Sequence, residues 1–213
     1  MKQKNRPFGL FFFTFVAWSL YRYFFYYPEW FDEFVAKPCI LLLPTIFLAT
    51  IFEKKSLKSI GFSSQQLAQN IFIGLGAGIF IAVEAILTRQ FKYGQVIFNP
   101  DHLTGVSLLT VILIPFVTGF AEEAVFRGYL FTNFLKSYKN EFFANALSTV
   151  LFVALHLPIL LFVNHLSSVE LLFSLVQLAI LGALNGIIFA RTKTLVAPTV
   201  THGLWNLSAV LFR

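Results

Sequence analysis

The sequence contains few charged residues and a single cysteine. Asp, Glu, Lys and Arg make up 12% of its 213 residues, which is about half the share found in an average soluble domain. The one cysteine, Cys39, excludes an intramolecular disulfide and any metal cluster built from several cysteines. Only short polar stretches separate the apolar runs, so they leave no room for a separate soluble domain. We expect residues 1–213 to form a single integral membrane domain.

Apolar and aromatic side chains dominate instead, at 57% and 18% of the chain. The apolar runs are about 17 to 22 residues long, which suits helices that cross the hydrocarbon core of a bilayer. They predict seven spans, at 8–27, 36–52, 70–89, 106–127, 142–163, 168–190 and 195–212. The predicted fold class is all-α: a polytopic transmembrane helical bundle of about seven spans.

Basic residues are spread unevenly over the predicted loops. The net charge is +6, but the basic side chains are not gathered into one stripe, so we expect no nucleic-acid partner. Cytoplasmic loops of membrane proteins carry an excess of Lys and Arg. A cytoplasmic N-terminus places most of them inside, namely Lys2, Lys4, Arg6, Lys54, Lys55, Lys58, Lys136, Lys139, Arg191 and Lys193, and leaves Lys37, Arg89, Lys92 and Arg213 outside. We therefore expect a multi-pass membrane protein, surrounded by membrane lipids, with its N-terminus in the cytoplasm.

Two adjacent glutamates and an arginine interrupt the fourth apolar run, in the stretch AEEAVFRGYL. A charged side chain at the bilayer centre costs about 2.5 to 3.5 kcal/mol, so such groups are usually paired or functional. Neighbouring helical residues lie about 100° apart, so Glu122 and Glu123 cannot face the same cavity. Arg127 follows Glu123 by four residues on one helix face, which predicts a Glu123–Arg127 pair and leaves Glu122 free to act on water. A purely structural network of all three is the alternative, and the partners of two further charges, Arg22 and Glu84, stay open.

Three more polar residues lie in the later spans: His156 in LFVALHLP, and His202 and Asn206 in VTHGLWNL. At about 1.5 Å per helical residue, Glu122, His156 and Asn206 each lie roughly 20 Å from the nearest cytoplasmic charge. His202 lies about one turn closer to the cytoplasm. Buried histidines often serve packing alone, but these polar groups from three helices are expected to meet at one level in the membrane.

Prolines at positions 115, 158 and 198 predict a break in each of the helices that carry these polar groups. A break frees backbone groups, which are tolerated at membrane depth only where protein or a water-filled cavity satisfies them. We expect broken helices around an intramembrane cavity.

The stretches EEAVFR, FVALH and HGLWN resemble, in this order, the three motifs of the CAAX protease and bacteriocin-processing family of intramembrane proteases. The resemblance covers about residues 105–210, which form the family-like catalytic core. It implies an endopeptidase in which Glu122 and His156 bind and deprotonate a water molecule. It further implies that His202 and Asn206 face the developing oxyanion as hydrogen-bond donors.

The same resemblance implies that Glu123 and Arg127 hold the cavity in shape, and it leaves metal dependence open. Two histidines and a glutamate suit zinc, and Glu122, His156 and His202 would then be the ligands. The chain lacks a His-Glu-x-x-His pattern, and the resemblance also implies a mechanism of glutamate and water without metal. We therefore expect no obligatory metal or other cofactor, with zinc as the alternative.

The expected substrate is a peptide or lipidated protein tail that reaches the cavity from the cytoplasmic side. The resemblance implies CAAX-type tails or bacteriocin and signal peptides, and the short chain rich in Phe, Ile and Lys favours a bacterial cell membrane. A non-catalytic bacteriocin-immunity or peptide-binding membrane protein is one alternative. A small transporter is another, although it would predict paired broken helices in two related halves, and no such symmetry is evident.

Overall fold

The computed structural model describes residues 5–25, 27–98 and 108–212. Within these ranges lie seven helices: α1 Arg6–Phe24, α2 Glu29–Phe52, α3 Leu67–Tyr93, α4 at residues 108–138, α5 Glu141–Val163, α6 Ser168–Thr192 and α7 Val196–Leu211. The predicted all-α fold class is confirmed. Lys2, Lys4, Arg213 and the first two residues of the predicted fourth span lie outside the described ranges.

Four of the helices, α2, α3, α5 and α6, are long and apolar enough to cross a membrane. Large apolar side chains cover their outer faces, and Phe72, Phe80 and Phe91 on α3 are all exposed. An exposed apolar surface of this extent is typical of contact with lipid rather than water. The chain is therefore an integral membrane protein, while the count of seven crossings stays a prediction.

Local capping signals define several helix ends. The Asn140 side chain accepts a hydrogen bond from the backbone N–H of Phe143 at 2.9 Å at the start of α5. Ser167 and Glu170 form a reciprocal capping box at the start of α6. These caps satisfy backbone N–H groups that have no partner within the first turn of α5 and of α6.

Helix α7 lies at the centre of the arrangement that positions the site. Both α3 and α4 pack along it, and α5 packs along α6. A Cβ atom at Gly203 would lie 2.3 Å from the Phe116 ring, and one at Gly74 would lie 2.6 Å from Val200. Only glycine permits these close approaches, which bring α7 against α4 at Gly203 and against α3 at Gly74.

The largest differences between the structure and the predicted spans lie at two helix boundaries. Helix α2 begins at Glu29 rather than at residue 36, and α4 continues to residue 138 rather than ending at 127. Both extensions carry polar side chains that have partners inside the protein: Arg22 pairs with Asp32, and Lys55 donates to Asn133 at 2.6 Å. The length of an apolar run underestimates the length of a helix whose polar residues face other helices.

The predicted breaks at proline are only partly present. Helix α5 passes from α-helical to wider π-helical turns directly after Pro158. Pro115 lies within α-helical turns of α4, whose π-helical segment comes later, at Ala124–Phe131. The predicted break at Pro198 is wrong, because this residue lies in the first turn of α7, where its missing N–H removes no helical hydrogen bond.

Candidate active site

A cavity of about 240 Å³ lies between α2, α4, α5 and α7. The structure places all four sequence-predicted site residues on its wall: Glu122, His156, His202 and Asn206. Glu122 and His202 are buried, while His156 and Asn206 are partly exposed to the cavity. Polar groups from three helices thus converge on one space inside an otherwise apolar bundle.

The carboxylate of Glu122 points one oxygen, Oε2, at both imidazole rings. Oε2 lies 3.5 Å from Nε2 of His156 and 3.7 Å from Nε2 of His202. These separations are too long for direct hydrogen bonds, and Oε2 has no hydrogen-bond donor among the described residues. A buried carboxylate oxygen without a donor marks a position for a small hydrogen-bonding ligand.

The other ring nitrogens define which tautomers the two histidines adopt. Nδ1 of His156 lies 2.9 Å from the backbone carbonyl of Phe152, and Nδ1 of His202 lies 2.8 Å from Oε1 of Glu123. Because a carbonyl and a carboxylate only accept, both Nδ1 atoms carry the proton. In the neutral rings, each Nε2 atom therefore presents a lone pair beside Oε2 of Glu122.

The second glutamate points away from the cavity, toward α6. Arg127 donates to Oε1 of Glu123 at 3.1 Å and to the carbonyl of Gly182 at 2.8 Å. The contact between Glu123 and Arg127 that the spacing predicts is thus present. Asn185, which the sequence did not single out, adds a third donor to the same Oε1 atom at 3.0 Å. Arg127, His202 and Asn185 together surround a fully buried carboxylate.

Asn206 joins α7 to the proline of α4. One N–H of its side-chain amide donates to the carbonyl of Pro115 at 3.1 Å. This bond fixes the amide plane at the cavity wall, and the amide has a second N–H for another acceptor.

These same residues fall within a region that matches a known protein family. Residues 104–208 match the model of the type II CAAX prenyl endopeptidase family described as Rce1-like. These residues form a domain of this CAAX protease family. No curated protein and no solved structure matches the chain significantly. Members of the family are intramembrane proteases, which agrees with a polar cavity inside an apolar bundle.

A lysine from outside the Rce1-like region enters the site. Nζ of Lys37 on α2 lies 3.0 Å from Oε1 of Glu122 and 2.7 Å from Oε2 of Glu33. Thr118 donates to that same oxygen of Glu33 at 2.5 Å. The sequence assigned Lys37 only to the outer end of the second predicted span and gave it no role in the site, whereas the structure buries its side chain against Glu122. The four-residue spacing from Glu33 to Lys37, equal to that from Glu123 to Arg127, was the available signal.

The donor atoms of the site match those of zinc sites in chemical type but not in arrangement. A carboxylate oxygen and two imidazole lone pairs are suitable donors. The described residues nevertheless contain no group of three His, Cys, Asp or Glu side chains arranged to hold a metal ion. The Lys37 ammonium beside Glu122 would also repel a divalent cation at that carboxylate. The reaction proposed below therefore uses no metal ion.

The two further charged residues whose partners the sequence left open, Arg22 and Glu84, are half-buried and have partners elsewhere in the bundle. Arg22 forms an ion pair with Asp32 at the start of α2. Glu84 accepts a hydrogen bond from Thr88 at 2.8 Å on its own helix. Neither residue lines the cavity that contains Glu122.

Proposed function

We propose that the protein is an intramembrane endopeptidase in which Glu122 activates a water molecule. The observation that supports this most directly is the unsatisfied Oε2 atom of Glu122, which faces Nε2 of His156 and of His202. A water molecule beside these atoms can donate its two protons to Oε2 of Glu122 and Nε2 of His156, and it then presents an oxygen lone pair to a substrate. This is the geometry that general-base catalysis requires.

In the proposed reaction, Glu122 takes a proton from the water while the resulting hydroxide attacks the scissile carbonyl carbon. The C–N bond of the tetrahedral intermediate then breaks, and the proton held by Glu122 passes to the leaving nitrogen. The products are a carboxylic acid and an amine, so atoms and charge balance. His156, held in orientation by its bond to the carbonyl of Phe152, keeps the water in line with Glu122.

His202 and Asn206 are proposed to stabilise the oxyanion of the intermediate. Asn206 offers the amide N–H that is not bonded to Pro115. Glu123 holds the Nδ1 proton of His202, so His202 can donate from Nε2 only when both of its ring nitrogens are protonated. Glu123 thus has two roles in the proposal: it pairs with Arg127 and it orients His202.

Lys37 separates the functions of the two oxygens of Glu122. It occupies Oε1, so that only Oε2 faces the imidazoles and the water. Lys37 is in turn held by Glu33, which makes the charge pattern alternate from Glu33 to Lys37 to Glu122. We propose that Lys37 keeps Glu122 ionised and fixed in rotation, which are both conditions for a general base.

The proposed substrates are peptides or lipidated protein tails that enter the cavity. The matching family is described by its action on CAAX prenyl substrates, and processing of bacteriocin or signal peptides uses the same hydrolysis. The chemistry at Glu122 is common to both substrate classes.

Comparison of protein N-termini in membranes tests the proposed activity even when the substrate is unidentified. Cells would express the natural protein, Glu122→Gln, or Glu84→Gln as a matched control, since Glu84 is a half-buried glutamate of α3 outside the cavity. We expect new N-termini in the natural protein and in Glu84→Gln that are missing from Glu122→Gln. Identical N-termini with and without the Glu122 carboxylate would instead favour a non-catalytic peptide-binding or immunity role.

A further inference from the structure

The two ends of the bundle differ in charge. One end, called here the basic end, holds the start of α1, the end of α2, the turn between α4 and α5, and the end of α6. Contacts tie these parts together: Arg6 lies 3.6 Å from Glu53, and Arg191 lies 2.8 Å from Glu141. The basic residues of this end are Arg6, Lys54, Lys55, Lys58, Lys136, Lys139, Arg191 and Lys193. The opposite end holds the ends of α1, α3, α5 and α7 and the starts of α2, α4 and α6, and its half-buried basic side chains among the described residues are Arg22, Arg89 and Lys92.

Close packing fills the space between the basic end and the site. Residues 121–131 of α4, three turns that begin at the catalytic level, are all buried. The loop between α2 and α3 folds over them, and a Cβ atom at Gly128 would lie only 2.6 Å from the carbonyl oxygen of Ile60. Leu195 at the start of α7 donates to the carbonyl of Gly61 at 2.9 Å and holds this loop in place. In the part of the chain that the structure describes, this packing lies between Glu122 and the basic end.

The cavity instead runs toward the opposite end. Its wall continues along α2 from Lys37 to Glu29, the first residue of that helix, and along α7 from His202 to Val210. Glu29 is exposed. A second cavity, of about 490 Å³, adjoins at the same end and shares Glu29, His156 and Ala209 with the first. The described lining of both cavities thus extends from the level of His156 toward the end away from the basic end.

We infer that the substrate reaches Glu122 from the non-cytoplasmic side of the membrane. Cytoplasmic loops carry the excess of Lys and Arg, which assigns the closed basic end to the cytoplasm and the open end to the outside. This inference rests on the proposed function and narrows it: the substrate is a polypeptide segment that is exported or exposed at the outer surface. Entry from the cytoplasmic side, which the sequence led us to expect, does not agree with the closed basic end.

The depth of the site limits which segments can be cleaved. Lys37 follows Glu29 by eight residues on one helix, so Glu122 lies about 12 Å below the mouth. An extended chain advances about 3.3 Å per residue. A substrate must therefore insert roughly four residues of extended chain to bring a peptide bond to Glu122, which excludes folded surface loops.

Cysteine labelling from each side of the membrane tests this inference independently of any protease assay. Cys39 would be replaced by serine, and single cysteines introduced as Ala209→Cys in the cavity, Glu29→Cys at its mouth and Ser64→Cys in the loop of the basic end. Phe80→Cys, on the exposed face of α3, is the lipid-facing control. A membrane-impermeant methanethiosulfonate is added to right-side-out or inside-out vesicles, and unreacted cysteines are then detected after denaturation by the gel shift of a polyethylene glycol maleimide.

In right-side-out vesicles we expect Ala209→Cys and Glu29→Cys to lose the gel shift, while Ser64→Cys and Phe80→Cys keep it. In inside-out vesicles only Ser64→Cys should lose it. Labelling of Ala209→Cys from the same side as Ser64→Cys would overturn the inference, and so would protection of both cavity cysteines from either side. Each of these results leaves the proposed peptidase activity to be decided by the Glu122→Gln comparison.

Discussion

Substitution of Arg127 by methionine tests the buried charge network that supports the site. Methionine keeps much of the side-chain volume but removes the bonds to Glu123 and Gly182 and the cation–π contact with Phe152, whose ring centre lies 4.7 Å from the guanidinium carbon. Removing one partner of a buried ion pair costs about 3 to 5 kcal/mol, because the other charge is left uncompensated. Glu123 retains His202 and Asn185 as donors, so we expect a loss near the lower limit, about 3 kcal/mol.

The measurement is the free energy of unfolding in mixed detergent micelles. Arg191→Met is the matched control, since Arg191 also pairs with a glutamate, Glu141, at 2.8 Å but is largely exposed. An exposed pair contributes about 0 to 1 kcal/mol, so this control should change stability little. Glu123→Gln combined with Arg127→Met should recover part of the loss, because no uncompensated charge remains. Equal effects of Arg127→Met and Arg191→Met would refute the reasoning.

Three further predictions concern the chemistry at Glu122. Glu122→Gln should lower the rate of cleavage about 10²- to 10⁴-fold while the unfolding midpoint stays close to that of the natural protein, since Lys37 keeps its ion pair with Glu33; unchanged cleavage by this variant would remove Glu122 from the proposed role. Lys37→Met should lower kcat with little change in KM, and Lys37→Arg should retain more activity; a rise in KM alone would make Lys37 a substrate contact instead. Purified active protein should keep its activity after exhaustive chelation, as measured together with its metal content; loss of stoichiometric zinc with activity, and restoration of both by added zinc, would show that a metal is required.

Local spacing predicted the contacts that lie within one helix. The pair of Glu123 and Arg127 follows from a four-residue separation. The different directions in which the side chains of Glu122 and Glu123 point follow from the angle of about 100° between neighbouring helical residues. The meeting of Glu122 with His156, His202 and Asn206 required one more assumption, that residues at equal depth in the membrane lie side by side. This assumption predicted that the four residues line one cavity. It is useful in a membrane because the depth of a residue follows from its position along a helix that crosses the bilayer.

Contacts between distant helices were missed for a physical reason. Lys37 and Glu122 are separated by 85 residues, and a lysine near the end of an apolar run is ordinarily interpreted as a loop residue. The bond from His202 to Glu123 likewise depends on the rotation of α7 about its axis, which sequence spacing does not determine. At Pro198 the sequence predicted a helix break that is not present. The effect of a proline depends on whether it lies in the first turn of a helix or deeper within it.

The position of Lys37 bears on whether the matched half of the chain is a complete catalytic unit. Residues 104–208 contain Glu122, His156, His202 and Asn206, but the cation at Oε1 of Glu122 comes from α2. Without α2, Glu122 would lie in an apolar bundle with no ammonium partner, a state that costs several kcal/mol for a buried charge. The loop that closes the basic end over Gly128 also comes from the N-terminal half. The family-like core and the N-terminal helices therefore share one site. This is expected of a single membrane domain whose first half supplies both the cation beside Glu122 and the loop that packs over Gly128.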